Sequence, residues 1–200
     1  MVDSTRDDIL EFWFGPSRGL APSAAGATPA PSARDAWFRK DPAFDDAIRA
    51  RFAAAVEAAL AGAYADWTDA AGALARVLLL DQFTRNLFRD TARAFAGDAR
   101  ALAVAQAAIA AGHEGALDRY GRWFLYLPFE HSEDAAMQQR SLALFGTLAA
   151  ATGDSVPLEW ADRHAAVIRR FGRYPHRNAT LGRASTADEE AFLREPGSRF

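Results

Sequence analysis

Phe44, Ile48, Phe52, Val56 and Leu60 recur at every fourth position behind Asp41-Pro42. That spacing lines one face of an α-helix and cannot line one face of a strand, whose side chains alternate. Asp41 is of the right type for an N-cap. A proline at the first helical position gives up only an N–H that has no partner there. The same start and stop signals recur along the chain. Thr5 precedes a helix to Phe14, and Thr68 opens one that runs through Leu78-Leu79-Leu80 toward Phe83. Asp98 to Ala111 ends at Gly112, and Tyr120 to Pro128 is stopped by its proline. Ser132 caps a helix to about Ala151, before Gly153, and Pro157 starts another that ends at Phe171, before Gly172. Thr186 and Glu189 form a capping box for a short last helix. No segment has a hairpin signal or a sustained alternating pattern. The chain therefore reads as all-α, with about seven to nine helices. Successive antiparallel pairs would suit a solenoid-like stack, although no repeat of fixed period is present.

Two hundred residues, half of them apolar, suffice for a single domain over residues 1–200. Residues 15–33 interrupt the pattern with Pro16, Pro22, Pro29 and Pro31 among Gly, Ser and Ala, and read as a flexible loop insertion. A net charge of −3 gives no electrostatic reason to expect nucleic acid as a partner. The chain has no cysteine, which excludes disulfides, zinc–thiolate sites, iron–sulfur clusters and cysteine nucleophiles. The amino terminus is acidic and polar, unlike a secretory signal, and no apolar run approaches the roughly 20 residues that span a bilayer. A cytoplasmic protein without a membrane partner is the expectation.

Polar side chains concentrate in three places. In Leu78 to Asp90 an apolar run passes into Asp81, Gln82, Arg85, Asn86 and Arg89. On a wheel of about 100° per residue, Leu79, Leu80, Phe83 and Leu87 gather on one side and the polar residues on another. Asp81 and Arg85, four apart with the acid first, suit an intrahelical pair. Read alone, the segment is a braced helix with Arg89 in solvent. The second place is Glu130-His131-Ser132-Glu133-Asp134, at a helix start where carboxylates are favoured by the dipole. His131 with Glu130 also suits acid–base chemistry. A metal site is not expected, because neither H-x-x-x-H nor H-E-x-x-H spacing occurs.

The third place runs from His164 to Arg183. His164 shares a helical face with Val167, Ile168 and Phe171, so it points with the core. Arg173, Tyr174, Pro175, His176, Arg177 and Asn178 then form a loop of cationic donors, suited to carboxylate or phosphate oxygens. The plain alternative is a basic surface loop that caps the preceding helix.

The order Leu80-Asp81-Gln82-Phe83-x-Arg85-Asn86-Leu87-Phe88-Arg89, then Ala94-Phe95-Ala96-x-Asp98, resembles the bacterial family known as domain of unknown function 924. So do Phe124 to Asp134, Arg170 to Ala179 and Leu181-Gly182-Arg183-x-Ser185-Thr186, as do Trp37-Phe38-x-Lys40-Asp41 and the terminal Phe192-Leu193. The similarity spans the chain apart from residues 15–33. It departs at Thr84, where proline is expected. The resemblance implies an all-helical fold similar to tetratricopeptide-repeat-like assemblies, right-handed superhelical or orthogonal, and implies no particular activity.

Two functional readings follow. In the first, the three polar segments form a pocket for a small anionic molecule. Arg85, Arg89, Arg173 and Arg177 bind its phosphate or carboxylate, and Asn86 and Asn178 orient it. His131 or His176 transfers a proton, with Glu130 or Asp98 setting its tautomer, and His164 completes the ligand-binding set. With no glycine-rich nucleotide loop or cofactor motif, no cofactor is expected and hydrolysis is the favoured reaction type. In the second reading the fold is a scaffold for a peptide or partner protein, with Trp13, Trp37, Trp67 and Tyr174 as anchors. A third possibility is that the polar segments form only a buried structural network.

Overall fold

A computed structural model describes residues 6–21 and 35–198. Among these the structure is all-helical, and the only β pairing is an isolated bridge between Leu20 and Leu117. The helices are α1 (Arg6–Phe14), α2 (Pro42–Leu60), α3 (Ala70–Val77), α4 (Thr84–Leu87), α5 (Asp98–Ala110), α6 (Arg119–Glu130), α7 (Ala135–Thr152), α8 (Val156–Phe171) and α9 (Ala187–Phe192). A π-helical segment, Leu78–Phe83, joins α3 to α4.

The helix boundaries follow from cap chemistry. Asp41 accepts from the N–H groups of Ala43 and Phe44 with Pro42 behind it, as the sequence predicts. Thr186 and Glu189 complete their capping box. Two predicted caps move. Asp69, not Thr68, caps α3 through Gly72 N at 2.7 Å. Asp134, not Ser132, caps α7 through Ala136 N and Met137 N, while Ser132 Oγ accepts from Asp134 N instead. A carboxylate has more acceptor capacity than a hydroxyl, so it takes the orphan donors. Helix α6 also runs past Pro128 to Glu130. The missing proline N–H weakens the last turn without ending it, and Glu130 thereby becomes a helical residue.

The described residues form two compact units. The first ends at Arg89 and resumes over Arg93–Pro128; the second comprises Asp90–Ala92 and the chain from Phe129 onward. In the first, α3 packs on α1 and α5, and α2 packs on α4 and the π segment. Its core is aromatic: Trp13 meets Phe83 at 5.4 Å and Phe124 at 5.3 Å between ring centroids, and Phe52 meets Phe83 at 5.2 Å. Residues 15–21 differ from the loop expected there. Gly15–Ser17 is a turn of 3₁₀ helix, Ser17 is buried and Gly19 lies against Phe14 and Leu74. The rest of the predicted insertion lies outside the described residues. In the second unit, α7 and α8 pack as a pair, and Val167 and Ile168 of α8 cluster with Tyr174. No helix of the described residues is long and apolar enough to cross a membrane.

Candidate functional site

Asp81 carries the largest departure from a solvated helix face, because it is fully buried. The π segment is the reason. Its wider turn places Leu78 through Phe83 all inside, so a 100° wheel no longer separates apolar from polar positions. The buried carboxylate is then matched by neighbours. Gln82 Nε2 donates to Asp81 Oδ2 at 2.6 Å, and Arg85 Nη1 lies 3.2 Å from Oδ1 in the predicted intrahelical pair. Arg85 also grips Asp98 with both Nη atoms, at 2.8 and 3.1 Å. Thr84 Oγ1 donates to Leu80 O at 2.9 Å, serving a carbonyl within the π turns.

Arg89 is not a solvated charge. It makes two hydrogen bonds to Asp45 of α2, at 2.5 and 2.8 Å, and Asn86 Nδ2 adds a third at 2.7 Å. Burial pushes the Asp45 carboxyl upward. The hydrogen bonds from Arg89 and Asn86 outweigh it and hold the carboxyl below its ordinary range. Arg85 and Asp98 thus belong to one ion-paired set of the first unit, and Asn86 and Arg89 to a second one around Asp45.

In the second unit the other two segments come together. Glu133 accepts Arg183 bidentately at 2.7 and 2.9 Å and also the Tyr174 N–H at 2.8 Å. Burial raises its carboxyl, but these donors lower it further and the net shift is downward. Arg173 grips Glu189 of α9 at 2.6 and 2.8 Å. Asn178 Nδ2 donates to Ser185 Oγ at 3.0 Å and to Glu189 Oε2 at 3.3 Å. The Arg173 hydrogen bond is the main reason that the Glu189 carboxyl falls to about 2. Arg173 and Asn178 therefore help fix this loop against α9.

The remaining candidates surround one buried pair. His164 Nδ1 lies 2.9 Å from Trp160 O and 3.2 Å from Glu130 Oε1, and the two side chains are 8% and 4% exposed. Only an N–H can meet a carbonyl oxygen, so the proton is assigned to Nδ1 and the lone pair to Nε2. Burial drives the imidazole down to about 3, so it is neutral at neutral pH. The His131 ring lies 6.3 Å from that of His164, Tyr174 lies 5.6 Å from it, and His176 lies 5.5 Å from Tyr174. Arg177 is buried and its guanidinium carbon sits 4.5 Å from the Tyr174 ring centroid. Gln138 fixes the end of α6 beside them. Its Nε2 donates to Glu130 O at 2.7 Å and Ser132 O at 2.6 Å, and the Tyr174 hydroxyl also donates to Glu130 O.

This cluster corrects one expectation and completes another. Tyr174, Trp13 and Trp37 are buried rather than offered as anchors, with Trp37 Nε1 donating to Trp13 O at 3.1 Å. His164 lies on the core face, as its spacing predicts. Sequence reasoning did not find Gln138, Glu189 or Asp45, the partners on other helices. Gln138 and Asp45 sit in no motif, Glu189 was read only as part of a capping box, and contact between distant helices leaves no local signal. Among the described residues, no group of three acidic or histidine side chains is placed to hold a metal ion.

The comparisons extend to the whole chain. A structure of a protein of unknown function, ATU0120, from Agrobacterium tumefaciens is 40% identical, with a TM-score of 0.79 over 94% of this chain and 96% of that one. No curated protein matches the chain. The family model for bacterial proteins of unknown function, DUF924, matches residues 9–197. Three ordered motifs, an all-helical fold and a match of this extent agree: the chain belongs to the DUF924 family.

Proposed function

We propose that the second unit binds a small molecule through an anionic group, phosphate or carboxylate, and that the reaction type is hydrolysis. Glu130, His164 and Arg177 are its centre, with His131, His176 and Asn178 around them. The observation that carries this reading is the buried contact between Glu130 and His164. A carboxylate on the Nδ1 side orients an imidazole and leaves Nε2 as the proton acceptor, the arrangement of a general base that activates a nucleophile. With water as that nucleophile, hydrolysis follows. Arg177 supplies the anion-binding element. Its guanidinium carbon lies 4.5 Å from the Tyr174 ring centroid, a cation–π contact that helps hold it in place.

The electrostatics link binding to basicity. After burial, the charges of His131, Arg177 and His176 also depress His164. An anion seated beside Arg177 cancels part of that positive field and raises the imidazole's basicity. Asn178 Oδ1 and Gln138 Oε1 are buried acceptors with no donor among the described residues, and a ligand hydroxyl or amide would satisfy them. For the first unit, the pairing of Arg85 with Asp98 and of Arg89 with Asp45 favours a structural brace.

A thermal-shift series with inorganic phosphate, acetate and phosphorylated metabolites tests the site. Wild type should be stabilised by mass action. Arg177→Gln and His176→Gln should lose the shift, whereas Arg89→Gln should keep it. Equal shifts in wild type and Arg177→Gln remove Arg177 from the site.

A further inference from the structure

Arg76, on α3 of the first unit, stands outside the ion-pair networks described above. It is half-buried, and among the described residues it makes no hydrogen bond or ion pair. Asp66 is the carboxylate whose charge reaches it, and burial outweighs that charge to pull the guanidinium pKa down. A desolvated guanidinium without an acceptor is unfavourable, and an anionic ligand would relieve that cost. Arg76 lines an open cavity of about 430 Å³, together with Leu80 of the π segment and Arg100, Ala103, Val104 and Ala107 of α5. Arg100 Nη1 donates there to Ala59 O and Leu60 O, the carbonyls at the end of α2. The cavity therefore combines two guanidinium groups with a wall of short apolar side chains. Its volume lies within the range of small-molecule sites.

We propose that this cavity is a second binding site, for a small amphipathic carboxylate with a short aliphatic body. Charge and shape select that class. The planar Arg76 fork matches a carboxylate, and Arg100, which also lines the cavity, adds positive charge. Alanine and valine along α5 leave room for a methylene chain and offer no group to hydrogen-bond a sugar or a polar headgroup. A second phosphate-type site is disfavoured by the same apolar wall.

The test is calorimetric titration of the full chain with octanoate, 1-octanol and inorganic phosphate. Octanoate should bind to wild type and 1-octanol should not, and phosphate, which is expected at the Arg177 site, should bind wild type and Arg76→Gln alike. Arg76→Gln should weaken octanoate binding by about tenfold or more, the loss of one charge-assisted contact. Ala107→Leu, which fills the trough and keeps both arginines, should weaken it similarly. Arg76 has no partner to lose, so Arg76→Gln should melt at the wild-type temperature. The proposal is overturned if octanoate does not bind wild type, or binds all three proteins equally. It is also overturned if 1-octanol matches octanoate, if Arg76→Gln weakens phosphate binding as much as octanoate binding, or if Arg76→Gln lowers the melting temperature.

Discussion

A histidine held neutral inside a protein makes stability depend on pH in a definite direction. His164 has an ordinary value of 6.5 and is lowered to about 3 by burial. Between those values the unfolded chain takes up a proton that the folded chain refuses. Stability contributed by the neutral imidazole is therefore complete above about pH 6.5 and is lost as pH falls toward 3. The slope is about 1.4 kcal/mol per pH unit at most. Urea unfolding at about pH 7 and about pH 5 should show this loss in wild type, and His164→Gln should show a shallower slope. An identical slope in the variant would mean that another group carries the titration. The inward aspect of His164 was legible from its spacing with Val167, Ile168 and Phe171. Its contact with Glu130 was not, because nothing local in either segment encodes which distant helix it meets.

Helix boundaries were legible wherever the cap and the apolar stripe agree, as at Asp41 and Thr186. The π segment was not legible. Its sequence has ordinary helix formers, and the extra width of the turn is imposed by packing. One consequence is a close approach at the start of α5. A Cβ on Gly97 would lie 2.1 Å from Leu80 O, with Leu80 C at 2.8 Å. Both are backbone atoms, so a side chain at position 97 cannot be accommodated by a rotamer change. Gly97→Ala should cost about 1–3 kcal/mol or more, the range for overpacking against rigid neighbours. Gly146→Ala, whose Cβ meets nothing within 4 Å, is the matched control and should be neutral or slightly stabilising. Chemical denaturation of the two variants decides the point. Equal stabilities would show that the π segment yields, and that Leu80 O is not fixed by Thr84.

In both units, motif arginines are matched to carboxylates distant in sequence: Arg89 to Asp45, Arg85 to Asp98 as well as to its neighbour Asp81, Arg173 to Glu189 and Arg183 to Glu133. The sequence showed the arginines as clusters and so suggested ligands for Arg85, Arg89 and Arg173 among them. Pairing is a property of the fold and assigns these four arginines to carboxylates. The same pairing predicts the acid limit of the protein. Asp45, Glu133 and Glu189 all have carboxyls held below their ordinary range by arginine hydrogen bonds. A lowered carboxyl contributes stability above its unfolded value, and that contribution disappears as pH falls through the folded value. Acid should thus act in two stages: His164 first, below about pH 6.5, and the paired carboxylates next, below about pH 4.5. Glu189→Gln separates them. It keeps an oxygen that can accept from Thr186 N but removes the charge facing Arg173. Its melting temperature should lie below wild type near neutral pH, and the gap should close near about pH 2, where the wild-type carboxyl is itself protonated. A gap that stays constant would assign the loss to packing of α9 rather than to the ion pair.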